Sequence, residues 1–215
     1  MTKKLSFILT GVFMVCQIAV AQATNFTVSA SVPLSTGITM TVNKVTVGTT
    51  GGVTFVAQPA GTTNLPFGTL TLNTTTNTYA DGAPGATFYW AIDLTPSNGS
   101  GVAQPTVGYT ETTSLPAGQT QGLGSRAGIQ FAKVTNSTIE TAISGEHYTL
   151  AALGSGVTVP YTDAAGGFMR MDIGLCTGNT NTANGAVDPT GCLPFSPADL
   201  PATYSGTLSV TAAVN

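Results

Sequence analysis

The chain has 215 residues, of which 42% are hydrophobic and only 7% charged, with 26 Gly, 12 Pro and a formal charge of −3. Soluble proteins are about a quarter charged on average, so ion-paired coiled coils, long exposed helices and basic nucleic-acid surfaces are excluded. The apolar content excludes a disordered chain, and Gly and Pro follow no triplet period, which excludes collagen.

Residues 1–23 read as a cleaved secretory signal peptide. Lys3 and Lys4 form a positive start, and residues 5–20 are apolar apart from Ser6, Thr10, Gly11, Cys16 and Gln17. The small-x-small sites Ala19-Val20-Ala21 and Ala21-Gln22-Ala23 place cleavage after Ala21 or Ala23. The apolar run is shorter than the ~20 residues that a membrane span needs. A lipoprotein reading of Cys16 meets bulky Val15 where a small residue belongs. No other window reaches spanning length, so the mature chain is expected outside the cytoplasm, secreted or at the cell surface, without a membrane span. Removing Lys3 and Lys4 from six cations leaves four against nine acids, and the formal charge moves from −3 to −5. Four dispersed cations make no patch for phosphates or anionic lipid.

The remaining residues, 24–215, are expected to form one all-β domain. Short β-branched and aromatic runs alternate with period two between Gly, Pro, Asn and Asp. Strands are expected over 25–34, 37–47, 52–57, 67–72, 86–94, 106–112, 128–135, 148–153, 167–175 and 203–214. In the first, Phe26, Val28, Ala30, Val32 and Leu34 share one face, and Pro33 marks an edge or an end. Phe88, Trp90 and Ile92 share one face of a dense apolar strand, with Tyr89 on the other, so that strand is placed across the core. Residues 136–144 are the only helical candidate, and their β-branched content favours a loop. About ten strands with Gly-rich turns predict an antiparallel β-sandwich, Ig-like or pilin-like.

Cys176 and Cys192 are the two cysteines left after cleavage. An even pair in an exported chain predicts one disulfide, closing a loop of about 17 residues and contributing on the order of 3 kcal/mol. A redox or metal role requires a CxxC spacing or neighbouring His, and neither is present.

Chemistry-bearing motifs are sparse. His147 is the only histidine and follows Glu146. There is no GxSxG elbow, no HExxH and no second His, so no catalytic residue, cofactor or metal is assigned. The nine acids are scattered, and nothing in the chain marks a facing carboxylate pair. Residues 178–188 loosely echo a calcium loop without its acidic positions or bidentate Glu. Four N-x-S/T sequons begin at Asn25, Asn73, Asn98 and Asn136. Arg170 and Asp172 share one face of the strand at 167–175, as pairing neighbours or as a partner contact. Arg126 is an isolated cation, and both arginines read as structural.

Thr on a strand face gives β-propensity and a polar surface without charge. Such a surface lacks the charged residues that blunt sheet edges, so the edges are either hidden or meant for pairing. The closing stretch Thr203-Tyr204-Ser205-Gly206-Thr207-Leu208-Ser209-Val210-Thr211 resembles the last strand of bacterial pilin-like and spore-coat-U-like secreted β-sandwiches, which end in Thr-Tyr-Ser-x-Thr-Leu-x-Val-Thr. That resemblance implies subunits assembling by strand exchange. The chain departs from chaperone–usher pilins in having no Cys pair in its N-terminal half.

The expected function is therefore a non-enzymatic structural subunit of a filament or coat. Its expected partner is itself or a homologous subunit, with residues 25–34 as the candidate donor strand. The alternative is a glycan-binding or adhesive module using exposed Trp90, Tyr109, Tyr148 or Tyr161. A third reading, an exported hydrolase, needs Glu146 and His147 to converge with a hydroxyl in a cleft.

Overall fold

A computed structural model describes residues 25–31, 38–48, 52–75, 77–80, 87–96, 103–135, 140–159, 167–176 and 189–214. The expected signal peptide, the calcium-like loop, Val32, Leu34 and Tyr161 lie outside the described residues. Thirteen strands and two single-turn helices follow in chain order. They are β1 (Asn25–Ser31), β2 (Ile38–Val47), β3 (Val53–Ala57), β4 (Asn64–Thr69), β5 (Thr71–Asn73), β6 (Thr78–Ala80), β7 (Thr87–Pro96) and β8 (Ala103–Glu111). Then come α1 (Leu123–Arg126), β9 (Ala127–Val134), β10 (Glu140–Thr149), α2 (Leu150–Leu153), β11 (Val157–Thr158), β12 (Phe168–Leu175) and β13 (Tyr204–Val214).

Two sheets carry the fold. One has the order β11-β8-β13-β1-β4, the other β10-β9-β12-β7-β2-β3, and β5 and β6 form a small hairpin of their own. The all-β sandwich and its disulfide match expectation. Among the described strands only β1 and β13 run parallel, with Val28 beside Gly206, and β1 meets β4 antiparallel on its other side. The first and last described strands are thus neighbours in the middle of one sheet.

Alternation explains the core. The inward positions Val28, Leu65, Phe67, Val107, Leu208 and Val210 of the first sheet face Val42, Trp90, Ile92, Phe131, Met171 and Ile173 of the second. Each such side chain contributes roughly 1.5–3 kcal/mol when fully buried. Phe88 stacks on Phe67 across the sandwich, with ring centroids 5.8 Å apart. As expected, the strand carrying Trp90 crosses the core.

The short strands β6 and β11 were not expected, β4 and β8 start three residues early, and three further departures have a clear cause. Residues 148–153 are not a strand. β10 ends at Thr149, whose hydroxyl accepts from the Ala152 N–H at 3.2 Å and caps α2, so that Leu150 and Leu153 turn inward together. β10 itself begins at Glu140, within the stretch expected to be a loop. Its alternation was illegible because register shifts between Ala142 and His147, where Gly145 adopts φ 82°. Finally, 67–72 is two strands, since Gly68 at φ 73° breaks the alternation and Leu70 is buried between them. α1 had no sequence signal. It is held by Glu111, whose carboxylate accepts from Leu123 N at 3.2 Å and Gly124 N at 2.9 Å.

Gly206 occupies the variable position of the closing-strand pattern, yet its surroundings allow little variation. A Cβ there would enter the Tyr109 ring. That ring is buried and its hydroxyl donates to Glu111 at 3.1 Å. Gly206→Ala should therefore displace Tyr109 and loosen the Glu111–α1 contact, costing about 1–3 kcal/mol, the usual cost of overpacking. A lowered urea midpoint with unchanged slope is the expected readout; an unchanged midpoint would count against this packing.

Candidate functional site

The second sheet buries polar groups on the face turned away from the sandwich core. Asn43, Asp93, Gln130, Arg170 and Asp172 are all buried there, beside a separate apolar cluster of Val45, Val47, Tyr89 and Ala91. Strand register assembles the charged set: Arg170 lies opposite Asp93 on β7 and Ala132 on β9, and Asp172 lies opposite Ala91 and Gln130. The Arg170 Nε and Nη2 donate to Asp93 Oδ1 and Oδ2 at 2.7 and 3.0 Å. Nη1 donates to Glu140 Oε2 at 2.9 Å, and Asn43 Nδ2 donates to Asp93 Oδ2 at 3.2 Å. The guanidinium is flanked by the rings of Phe55, 4.6 Å away, and Phe168, 5.4 Å away.

Asp172 shares this face, as expected, but is not the partner of Arg170. It is fully buried and no donor reaches either carboxylate oxygen. Burial pushes its carboxyl well up, and the neighbouring Glu140 charge adds to the rise. Arg170, Asp93, Glu140 and Asn43 therefore tie β2, β7, β12 and β10 together. Every one of these hydrogen bonds joins two different strands, so the cluster acts as a register clamp.

The second arginine is also structural. Arg126 donates to Asp199 Oδ1 at 2.6 Å and to the Pro194 carbonyl at 2.8 Å. These contacts fasten the segment after Cys192 to the end of the sandwich. Cys176 and Cys192 form the expected disulfide, with Cα atoms 5.6 Å apart.

The residues named for enzymatic and glycan chemistry do not come together. Glu146 accepts from the Tyr148 hydroxyl at 2.7 Å, and that bond pushes the Tyr148 phenol up to about 12. His147, between them on β10, points to the opposite side and lies opposite Gln130. Trp90 and Tyr109 are buried in the core, so neither offers a ring to solvent. Among the described residues no group of three metal-ligating side chains occurs, and no helix is long and apolar enough to cross a membrane.

Of the candidate donor strand, the described part, β1, is inserted in the chain's own sheet between β13 and β4, and Val28 is fully buried. The available edges lie elsewhere. β11 has only two residues. β4 carries Pro66 and a register shift opposite Phe26 and Thr27. β10 is bulged and carries Glu140 and Glu146. β3 has none of these devices. All five of its residues, Val-Thr-Phe-Val-Ala, are exposed, and among the described residues it pairs only with β2. Val53, Phe55 and Val56 are 43%, 43% and 51% exposed. Charge is absent throughout: residues 45–80, which supply both β3 and the lateral strand β4, contain no Asp, Glu, Lys or Arg. The cation nearest in sequence, Lys44, has its Nζ 3.9 Å from the Phe88 ring centroid, and the cation that reaches β3 is Arg170, behind the Phe55 ring. The sequence showed the β3 strand, but only the sheet order revealed that it is an edge.

No family model, no curated protein and no solved structure matches the chain.

Proposed function

We propose that this protein is an exported, non-enzymatic structural subunit of a filament or coat that assembles through β-strand pairing. The observation that carries this reading is the charge-free lateral side of the sandwich, ending in the exposed, unblunted strand β3. Natural sheets blunt such edges with charge, proline, bulges or shortness because an open edge templates pairing with another chain. The other three edges of this sandwich are blunted in these ways, and β3 is not.

Strand exchange through β1 is a second route to the same end. β1 fills a slot between β13 and β4, and the equivalent strand of a neighbouring copy would make the same main-chain bonds there. Deleting residues 24–34 would empty the middle of a sheet and strip Val28 from the core, so a folded deletion product requires a donated strand.

Electron microscopy of producing cells and of the concentrated mature protein tests the reading. Filaments, or an ordered surface layer that includes this protein, are the expected outcome. A chain that remains monomeric and forms neither, in cells or concentrated after purification, would overturn it.

A further inference from the structure

The structure points to the partner of β3, an inference that rests on the assembly reading and makes it specific. We propose that β3 pairs antiparallel with β3 of a second copy, about a two-fold axis through Phe55, joining two six-stranded sheets into one.

Three observations carry this. First, of the four described edges of the two large sheets, β3 alone lacks a proline, a bulge, a charge or a two-residue length. Second, the edge is electrostatically self-complementary. A dyad through Phe55 sets Val53 against Ala57, Thr54 against Val56 and Phe55 against itself, and none of these pairs brings like charges together. A closed two-fold interface needs such a surface, because each contact recurs with its partners exchanged and the residue on the axis meets itself. Third, Phe55 is already oriented. Its ring packs on the Arg170 guanidinium, which the bonds to Asp93 and Glu140 hold in place. Pairing therefore finds the central aromatic pre-positioned, with Val53 and Ala57 beside it on the same face. In the pair, the two Phe55 rings stand opposite each other, each backed by an Arg170, and the exposed apolar surface of both strands is covered.

Five residues a side fall short of the ~800 Å² per partner of a standard interface. The contact is accordingly weak for two free subunits and becomes significant at high concentration or when other contacts in an assembly hold the subunits together.

Register-specific cross-linking of the mature, disulfide-intact protein provides the test. Val53→Cys mixed with Ala57→Cys, and Thr54→Cys mixed with Val56→Cys, should cross-link under mild oxidation far more than any of the four alone. Val56→Lys changes an exposed position, so the fold should persist while the dimer and its cross-links in a Cys background are lost. If the wild type assembles, yet neither mixture exceeds its single-cysteine controls, the β3 pairing is wrong and the assembly reading stands. Unchanged assembly of Val56→Lys overturns the pairing in the same way. A wild type that neither assembles nor cross-links overturns both.

Discussion

Arg170→Met is expected to destabilise the fold by about 3–5 kcal/mol, the cost of removing one partner from a buried ionic group. The guanidinium is buried and supplies three of the donors that reach Asp93 and Glu140. Without it, Asp93 keeps only the Asn43 amide at 3.2 Å, and two carboxylates remain near Asp172 with no cation among them. Met replaces the stem's apolar volume, so the loss reports the charge and its hydrogen bonds more than a cavity. Arg170→Lys should recover only part of the stability, because a point charge cannot span Asp93 in two places and reach Glu140 as well. Urea and thermal unfolding measure both effects. A loss below about 1 kcal/mol for Arg170→Met, the range of exposed ion pairs, would show that the cluster does not clamp the sheet. Its position explains why the effect should be large: the broken bonds link β12 to β7 and to β10, so register across the middle of the sheet loses its polar constraint.

Removing the disulfide should cost on the order of 3 kcal/mol, mostly by freeing the unfolded chain. Cys176 and Cys192 are 16 residues apart, and the bond ties the end of β12 to the start of the closing segment. The folded form has independent fastenings at the same place. Cys176 N donates to the Arg126 carbonyl at 2.8 Å and Leu193 N to the Ser125 carbonyl at 3.1 Å. Arg126 also holds Asp199 at 2.6 Å, and Phe195 packs edge-on against Tyr204 with centroids 5.1 Å apart. The reduced protein, or a Cys176→Ala and Cys192→Ala double variant, should therefore keep native near-ultraviolet circular dichroism while unfolding at lower denaturant. Loss of native circular dichroism without denaturant would mean that these contacts cannot hold the segment alone. Adding Asp199→Ala to the reduced protein removes its ion pair with Arg126, and the combined loss should exceed the sum of the separate losses because both changes loosen one segment.

Local chemistry made much of the fold legible. Period-two alternation located β2, β7, β9, β12 and β13 because each turns an apolar face to the core, and β3 was located by its β-branched and aromatic run. Two cysteines in an otherwise cysteine-poor mature chain identified the disulfide. Legibility failed where a single residue overrode the alternation. Gly68 and Gly145 adopt backbone that alternating strands do not use, and the Thr149 hydroxyl stops a strand with a cap. The charged cluster was half visible: Arg170 and Asp172 were placed on one face of a strand, yet Asp93 lies 77 residues from Arg170 and Glu140 lies 30 away. Pairing at those separations depends on which strands are neighbours, and local pattern carries no information about that.

By itself, the sequence determined the class, a β-sandwich with little charge and one disulfide, because alternation and cysteine count are properties of short stretches. Tertiary structure decided which strands are interior and which are edges. It placed β1, the strand that the alternation and lack of charge had marked for donation, in the middle of its own sheet. It placed the unremarkable Val53–Ala57 at an open margin. Both segments are uncharged and rich in strand formers, so their chemistry is equivalent along the chain. What distinguishes them is whether one or both sides of the backbone already have a hydrogen-bonding neighbour, and only the sheet order decides that.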